Sequence, residues 1–129
     1  MITRPTQPGP SLRPAAAIDR ASAAHRNGNV LVARQLLQER IARNPQDADA
    51  LAKLAEIALA QKSVEEATVL LQRAVSVDPS PHRRVALIVH LQRSGEPAMA
   101  LAEIECLPRS VRRQSRIKEV EATVLSSLG

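Results

Sequence analysis

The run from Ala48 to Pro81, ADALAKLAEIALAQKSVEEATVLLQRAVSVDPSP, decides the fold. Leu51, Leu54, Ala55 and Ala58 recur at i, i+3, i+4 and i+7, which places them on one face of a helix. Ala67, Leu70, Leu71, Ala74 and Val75 draw a second such stripe. Pro79 cannot continue that helix and forces Asp78 extended. The run is therefore two amphipathic helices followed by a stop.

Outward from this run, the scheme recurs at a fixed distance. Ala33 and Ala67, Leu37 and Leu71, Pro45 and Pro79, and Gly95 and Gly129 are each 34 residues apart. A period of this length is that of a stacked helix-turn-helix solenoid. Gly28 and Gly95 mark turns between paired helices. Lys62 stands where the second unit would carry its glycine, so that turn either does without an easy left-handed residue or takes another shape. After Ala67 the period shortens by one residue, to 33 at Ala100. Small Ala33, Ala67 and Ala100 let two helices approach closely.

Along its whole length the middle run resembles a tetratricopeptide repeat. Leu51, Leu54, Ala55 and Ala58 fall where that family carries large apolar, Leu, small and aromatic residues on its first helix. Ala67, Leu71 and Ala74 match small, large and small on its second, and Asp78-Pro79 matches the closing dipeptide. The preceding unit repeats the scheme with Ala21, Gly28, Val30, Ala33, Leu37 and Asn44-Pro45. The third keeps Leu87, Leu91, Gly95, Ala100, Ile104 and Leu107. The resemblance implies an all-α, right-handed α-solenoid of about 3.5 repeats. We expect units over 14–47, 48–80 and 81–114 and a closing helix over 115–128, seven helices in all. A weaker likeness is to the N-terminal tetratricopeptide arrays of larger bacterial proteins.

One departure is compositional: Phe, Trp and Tyr are absent. The family's aromatic positions hold Ala17, Ala24, Leu37, Leu51, Ala58 and Leu71. A buried aromatic removes about 150–250 Å² from water, a few kcal/mol at about 25 cal/mol per Å². Alanine supplies much less, and the first unit, with Ala17, Ala24 and Arg20 on its first helix, is the weakest.

Residues 1–14, MITRPTQPGPSLRP, are Pro-rich without an apolar run and are expected to be a disordered arm ahead of a repeat domain over 15–129. No stretch approaches the roughly 20 apolar residues of a membrane span. Cys106 has no partner for an internal disulfide, which fits a reducing, cytoplasmic setting. The preference for Arg and Ala over Lys suits a GC-rich bacterial source. The net charge is +5, and its positive excess lies on the third unit and the connection after it.

The resemblance implies a protein or peptide partner held in a concave groove lined by the first helix of each unit. Carried over position by position, the groove takes Ile18, Ser22, His25 and Arg26 from the first unit. It takes Asp49, Ala52, Lys53, Glu56 and Leu59 from the second, and His82, Val85, Ala86, Val89 and Arg93 from the third. The alternative is that these are solvated helix faces. The five positions with which one subclass grips a chaperone's C-terminal carboxylate hold Ile18, Ser22, Lys53, His82 and Ala86, which excludes that specificity. Arg109, Arg112, Arg113, Arg116 and Lys118 form a cationic run that suits an acidic partner or another anion. Specific nucleic-acid binding is disfavoured, because single-strand binders stack bases on aromatic rings.

No metal or cofactor set is legible: His25, His82 and His90 come from different units and Cys106 is alone. His90 is expected at the surface and Cys106 in the packing near Ile104 and Leu107. Nor is there a catalytic triad, a phosphate loop or a paired-carboxylate motif, so we expect no enzyme. Two functional classes remain. One is an adaptor or scaffold that binds a partner peptide. The other is a remnant of a larger array that self-associates through the closing helix, where Ile117, Val120, Val124 and Leu128 form an apolar stripe widened by Ala122 and Leu125. Electrostatic RNA binding is a weaker third. Small alanines in place of rings predict a modestly stable array with fraying ends. Its thermal transition, followed by helical circular dichroism, should not exceed the roughly 45–65 °C of ordinary domains; one sharp transition above roughly 80 °C would contradict this.

Overall fold

The computed structural model describes residues 14–129, and all its regular structure is helical. The arm expected over 1–14 lies outside the described residues except for Pro14, which opens α1. Three helical hairpins follow one another: α1 (Pro14–Arg26) with α2 (Val30–Arg43), α3 (Ala48–Ala60) with α4 (Val64–Val77), and α5 (Pro81–Arg93) with α6 (Pro97–Glu105). A short α7 (Arg109–Arg112) leads into α8 (Ser115–Leu128). Each hairpin packs on the next through α2 against α3 and α4 against α5, and α8 closes against α6 and α5.

The hairpins share one turn. The amides of Asn29, Ser63 and Glu96 donate to the carbonyls of Ala24, Ala58 and Leu91 at 2.8, 2.8 and 2.9 Å. The residue before each is left-handed: Gly28 at φ 83°, Lys62 at 63° and Gly95 at 77°. This six-to-one closure is the Schellman motif, which satisfies a helix's terminal carbonyls. Lys62 thus keeps the shape its glycine neighbours make, at a conformational cost that glycine does not carry. Between hairpins, Asn44 and Asp78 are extended before Pro45 and Pro79. Their side-chain oxygens accept from the amides of Gln46 and Ser80 at 3.1 and 3.2 Å. Asp47 then caps α3 by accepting from the Ala50 amide, and its other oxygen takes Arg40 Nε at 2.7 Å.

The core is one continuous cluster built from alanine and aliphatic side chains. Ala33, Ala67 and Ala100, the small residues of α2, α4 and α6, are fully buried. Leu37, Leu51, Ile57, Leu87, Ile88, Leu91 and Ile104 fill the space around them.

Eight helices are present among the described residues, where seven are expected from the sequence. Pro108 has no amide to extend α6, which ends at Glu105. Its carbonyl then accepts from the Val111 and Arg112 amides at 3.0 and 2.9 Å and starts the extra turn. Two side chains also differ from expectation. His90 is buried, because Thr68 of α4 meets its ring. Cys106 is exposed, because it lies past the end of α6 rather than on its packed face.

The left-handed lysine is a removable strain. Lys62→Gly should stabilise the chain by about 0.5–1 kcal/mol, the left-handed penalty less the extra unfolded-state freedom of glycine. Urea unfolding measures this as a higher midpoint with an unchanged slope.

Candidate functional site

The first helices of the hairpins carry the concavities. α1 packs against α3, but α3 and α5 barely touch. Small Ala52 and Ala55 on α3 and Ala86 on α5 leave the gap open, and Leu71 of α4 forms its floor. One cavity of about 450 Å³ is lined by Ile18, Asp19, Asp49, Ala52, Lys53, Glu56, Leu71, Arg83 and Ala86. A second, of about 580 Å³, continues along Ala55, Glu56, Leu59, Val64, Leu71, Ala86, Val89, His90, Arg93 and Ser94. Glu56, Leu71 and Ala86 belong to both, so the two form one trough. A small recess of about 50 Å³ adds His82.

The trough has an apolar floor and a charged rim. Lys53 Nζ and Glu56 Oε2 pair at 3.1 Å one turn apart on α3. Arg83 spans the mouth: its guanidinium meets Asp49 of α3 and, at 2.8 Å through Nε, Asp78 at the end of α4. The hydrogen bond from Arg83 holds the Asp78 carboxyl below its ordinary range. Leu59 is half-exposed at one edge. The Arg93 side chain makes no ion pair or hydrogen bond among the described residues.

Of the groove residues expected from the sequence, the trough gathers Lys53, Glu56, Leu59, Val89 and Arg93, together with Ile18, Asp49, Ala52 and Ala86. His82 reaches only the small recess, and Val85 is buried in the core. Ser22, His25 and Arg26 line none of these cavities; the first unit meets the trough through Ile18 and its neighbour Asp19 instead. Leu71, Val64, Ser94, Arg83 and His90 are added by the fold. The 34-residue spacing of Asp49 and Arg83 was the signal for their bridge, since equivalent positions on successive units face one another.

The cationic run is partly committed to the fold. Arg112 Nη2 pairs with Glu121 Oε2 of α8 at 2.7 Å, and that bond lowers the Glu121 carboxyl below its ordinary range. Arg109, Arg113, Arg116 and Lys118 are exposed and form no ion pair among the described residues. No group of three or more His, Cys, Asp or Glu side chains that could hold a metal ion occurs among the described residues. No helix there is long and apolar enough to cross a membrane.

His90 is the buried titratable group on the trough wall, 5% exposed. Its Nε2 lies 2.6 Å from Thr68 Oγ1 and 3.5 Å from Ser94 Oγ. Burial pushes the imidazole below its ordinary 6.5. Glu56 and Arg93 share its cavity, and Glu65 of α4 and Glu96 of the α5–α6 turn flank Thr68 and Ser94 on the other side. The folded chain therefore takes up this proton later than the unfolded chain as pH falls. Stability should be flat above 6.5 and decline as pH falls from there toward the folded-state value. His90→Leu should flatten that part of a urea-midpoint profile against pH.

Three turns of one design, two extended closures before proline and a trough along the first helices describe a helical-hairpin repeat. A family profile described as tetratricopeptide repeat matches residues 24–89, just over half of the 129-residue chain and the part that runs from the end of α1 through most of α5. No curated protein matches the chain. Repeats of this family generally mediate protein–protein interaction on a non-catalytic fold. By this match the chain belongs to the tetratricopeptide repeat family.

Proposed function

We propose that the chain is a non-catalytic adaptor or scaffold module that holds an extended or helical segment of a partner protein in the trough along α1, α3 and α5. The observation that carries this reading is the continuity of two cavities of about 450 and 580 Å³ through shared Glu56, Leu71 and Ala86. An apolar floor with a few fixed polar groups at its rim is the usual constitution of a ligand site, and a groove of this kind reads a peptide through spaced side-chain anchors. Lys53, Glu56 and Leu59 are the central contacts on α3, and Val89 and Arg93 face them from α5. His82 lines the small recess beside them, and the family resemblance adds Ser22, His25 and Arg26 of α1 to the proposed groove. The exposed Arg109, Arg113, Arg116 and Lys118 favour an acidic partner.

A second reading has its own observation. Leu125 and Leu128 of α8 are 49% and 45% exposed beside buried Ile117 and Val124, an apolar edge on which a second copy could pack. Sedimentation that changes with concentration would favour it.

Affinity capture from nuclease-treated source lysate, at low and high salt, tests the main reading. Wild type should retain a protein that survives salt, and the Lys53→Ala, Glu56→Ala, Leu59→Ala variant should lose it. Retention by the variant would sink the trough. Capture of the chain alone would favour self-association. Salt-labile nucleic acid alone would favour electrostatic binding.

A further inference from the structure

The wider cavity of the trough carries more information than its size, because His90, one of its lining residues, has a ring nitrogen with no partner among the described residues. Thr68 Oγ1 is placed to donate to the Val64 carbonyl at 3.0 Å, and Ser94 Oγ to the His90 carbonyl at 2.7 Å. In the tautomer that leaves both hydroxyl protons on helix carbonyls, these oxygens accept from the His90 ring, Nε2 carries the ring proton and Nδ1 is a bare acceptor; this is the tautomer on which the inference rests. No partner for Nδ1 occurs among the described residues. Nor does any buried side-chain nitrogen or oxygen there lack a partner, so Nδ1 keeps an opening to solvent. The ring forms part of the wall of the cavity of about 580 Å³.

We propose that this cavity receives an aromatic side chain of the partner that bears a ring N–H or O–H, an indole or a phenol, next to a carboxylate. The ring packs on Ala55, Leu59, Leu71, Ala86 and Val89, its N–H or O–H donates to His90 Nδ1, and the carboxylate pairs with Arg93. This deepens the trough reading and rests on it.

Three points select this occupant. An aliphatic side chain would cover Nδ1 without giving it a proton, and a site that offers an unpaired acceptor rejects ligands that lack the donor. Arg93 lines the same cavity, is exposed and has no ion pair among the described residues, while Glu56, the carboxylate that shares the cavity, pairs with Lys53. The chain contains no Phe, Trp or Tyr, so neither another segment of it nor a second copy can supply the ring.

That absence also makes the test clean, since any indole emission comes from the ligand. The chain would be titrated into N-acetyltryptophan, its ring-N-methylated analogue, N-acetyltryptophanamide and N-acetyltyrosine. N-acetyltryptophan should saturate with blue-shifted emission. Methylation of the ring nitrogen should weaken binding roughly fivefold, the effect of one hydrogen bond, and replacement of the carboxylate by the amide should weaken it similarly. His90→Leu should erase the indole–methylindole difference, and Arg93→Ala the acid–amide difference. Ala86→Leu, at an exposed position, should fill the cavity and abolish binding with its helical melt unchanged. N-acetyltyrosine binding more tightly than N-acetyltryptophan would assign the phenol, and the reverse the indole. Absence of saturation, or equal affinity for the methylated analogue, overturns the ring receptor even where lysate capture depends on the trough. A failure of the trough reading itself appears only in the capture experiment.

Discussion

Two helices joined by a three-residue turn must lie nearly side by side, and that closeness sets what can stand between them. Ala33, Ala67 and Ala100 occupy the contact and are completely buried. A larger side chain there would push the pair apart faster than its own burial could compensate, because close-packed interiors have no spare volume. The identical turns at Gly28, Lys62 and Gly95 bring the second helix back beside the first: the amides of Asn29, Ser63 and Glu96 each reach back five residues to close the cap of the first helix.

The same economy of side-chain volume opens the trough. Ala52, Ala55 and Ala86 stop short of one another, and Leu71 from the layer behind becomes visible as a floor. These alanines are lining positions in their own right, separate from the positions where the family carries rings, of which Ala17 and Ala58 lie buried in the core.

Much of the architecture was legible because helix faces and proline stops are local properties. The turn at Lys62 was legible in place but not in shape: a periodicity fixes where a helix ends, whereas hydrogen bonds to carbonyls five residues back decide that the next residue turns left-handed. The short α7 escaped because four residues show no period and its only cause is the Pro108 carbonyl. His90 escaped because its burial depends on Thr68, 22 residues away on another helix. The candidate site was legible on α3, where the stripe and its polar edge are regular. It was least so on α1: this helix packs directly on α3, and the trough meets it at Ile18 and Asp19 rather than at Ser22, His25 and Arg26.

The bridge from Arg83 to Asp49 has a mechanical meaning. It is the one described ion pair that joins α3 to α5 across the open side of the array; among the second helices, Arg34 of α2 pairs with Glu66 of α4 at 2.6 Å. A strut made of charge stiffens in dilute solution and yields as the screening length shortens to about 8 Å at physiological ionic strength and about 3 Å at 1 M. The open side of the array is therefore held in part by a contact that answers to the ions around it, and the width of the trough is expected to answer with it.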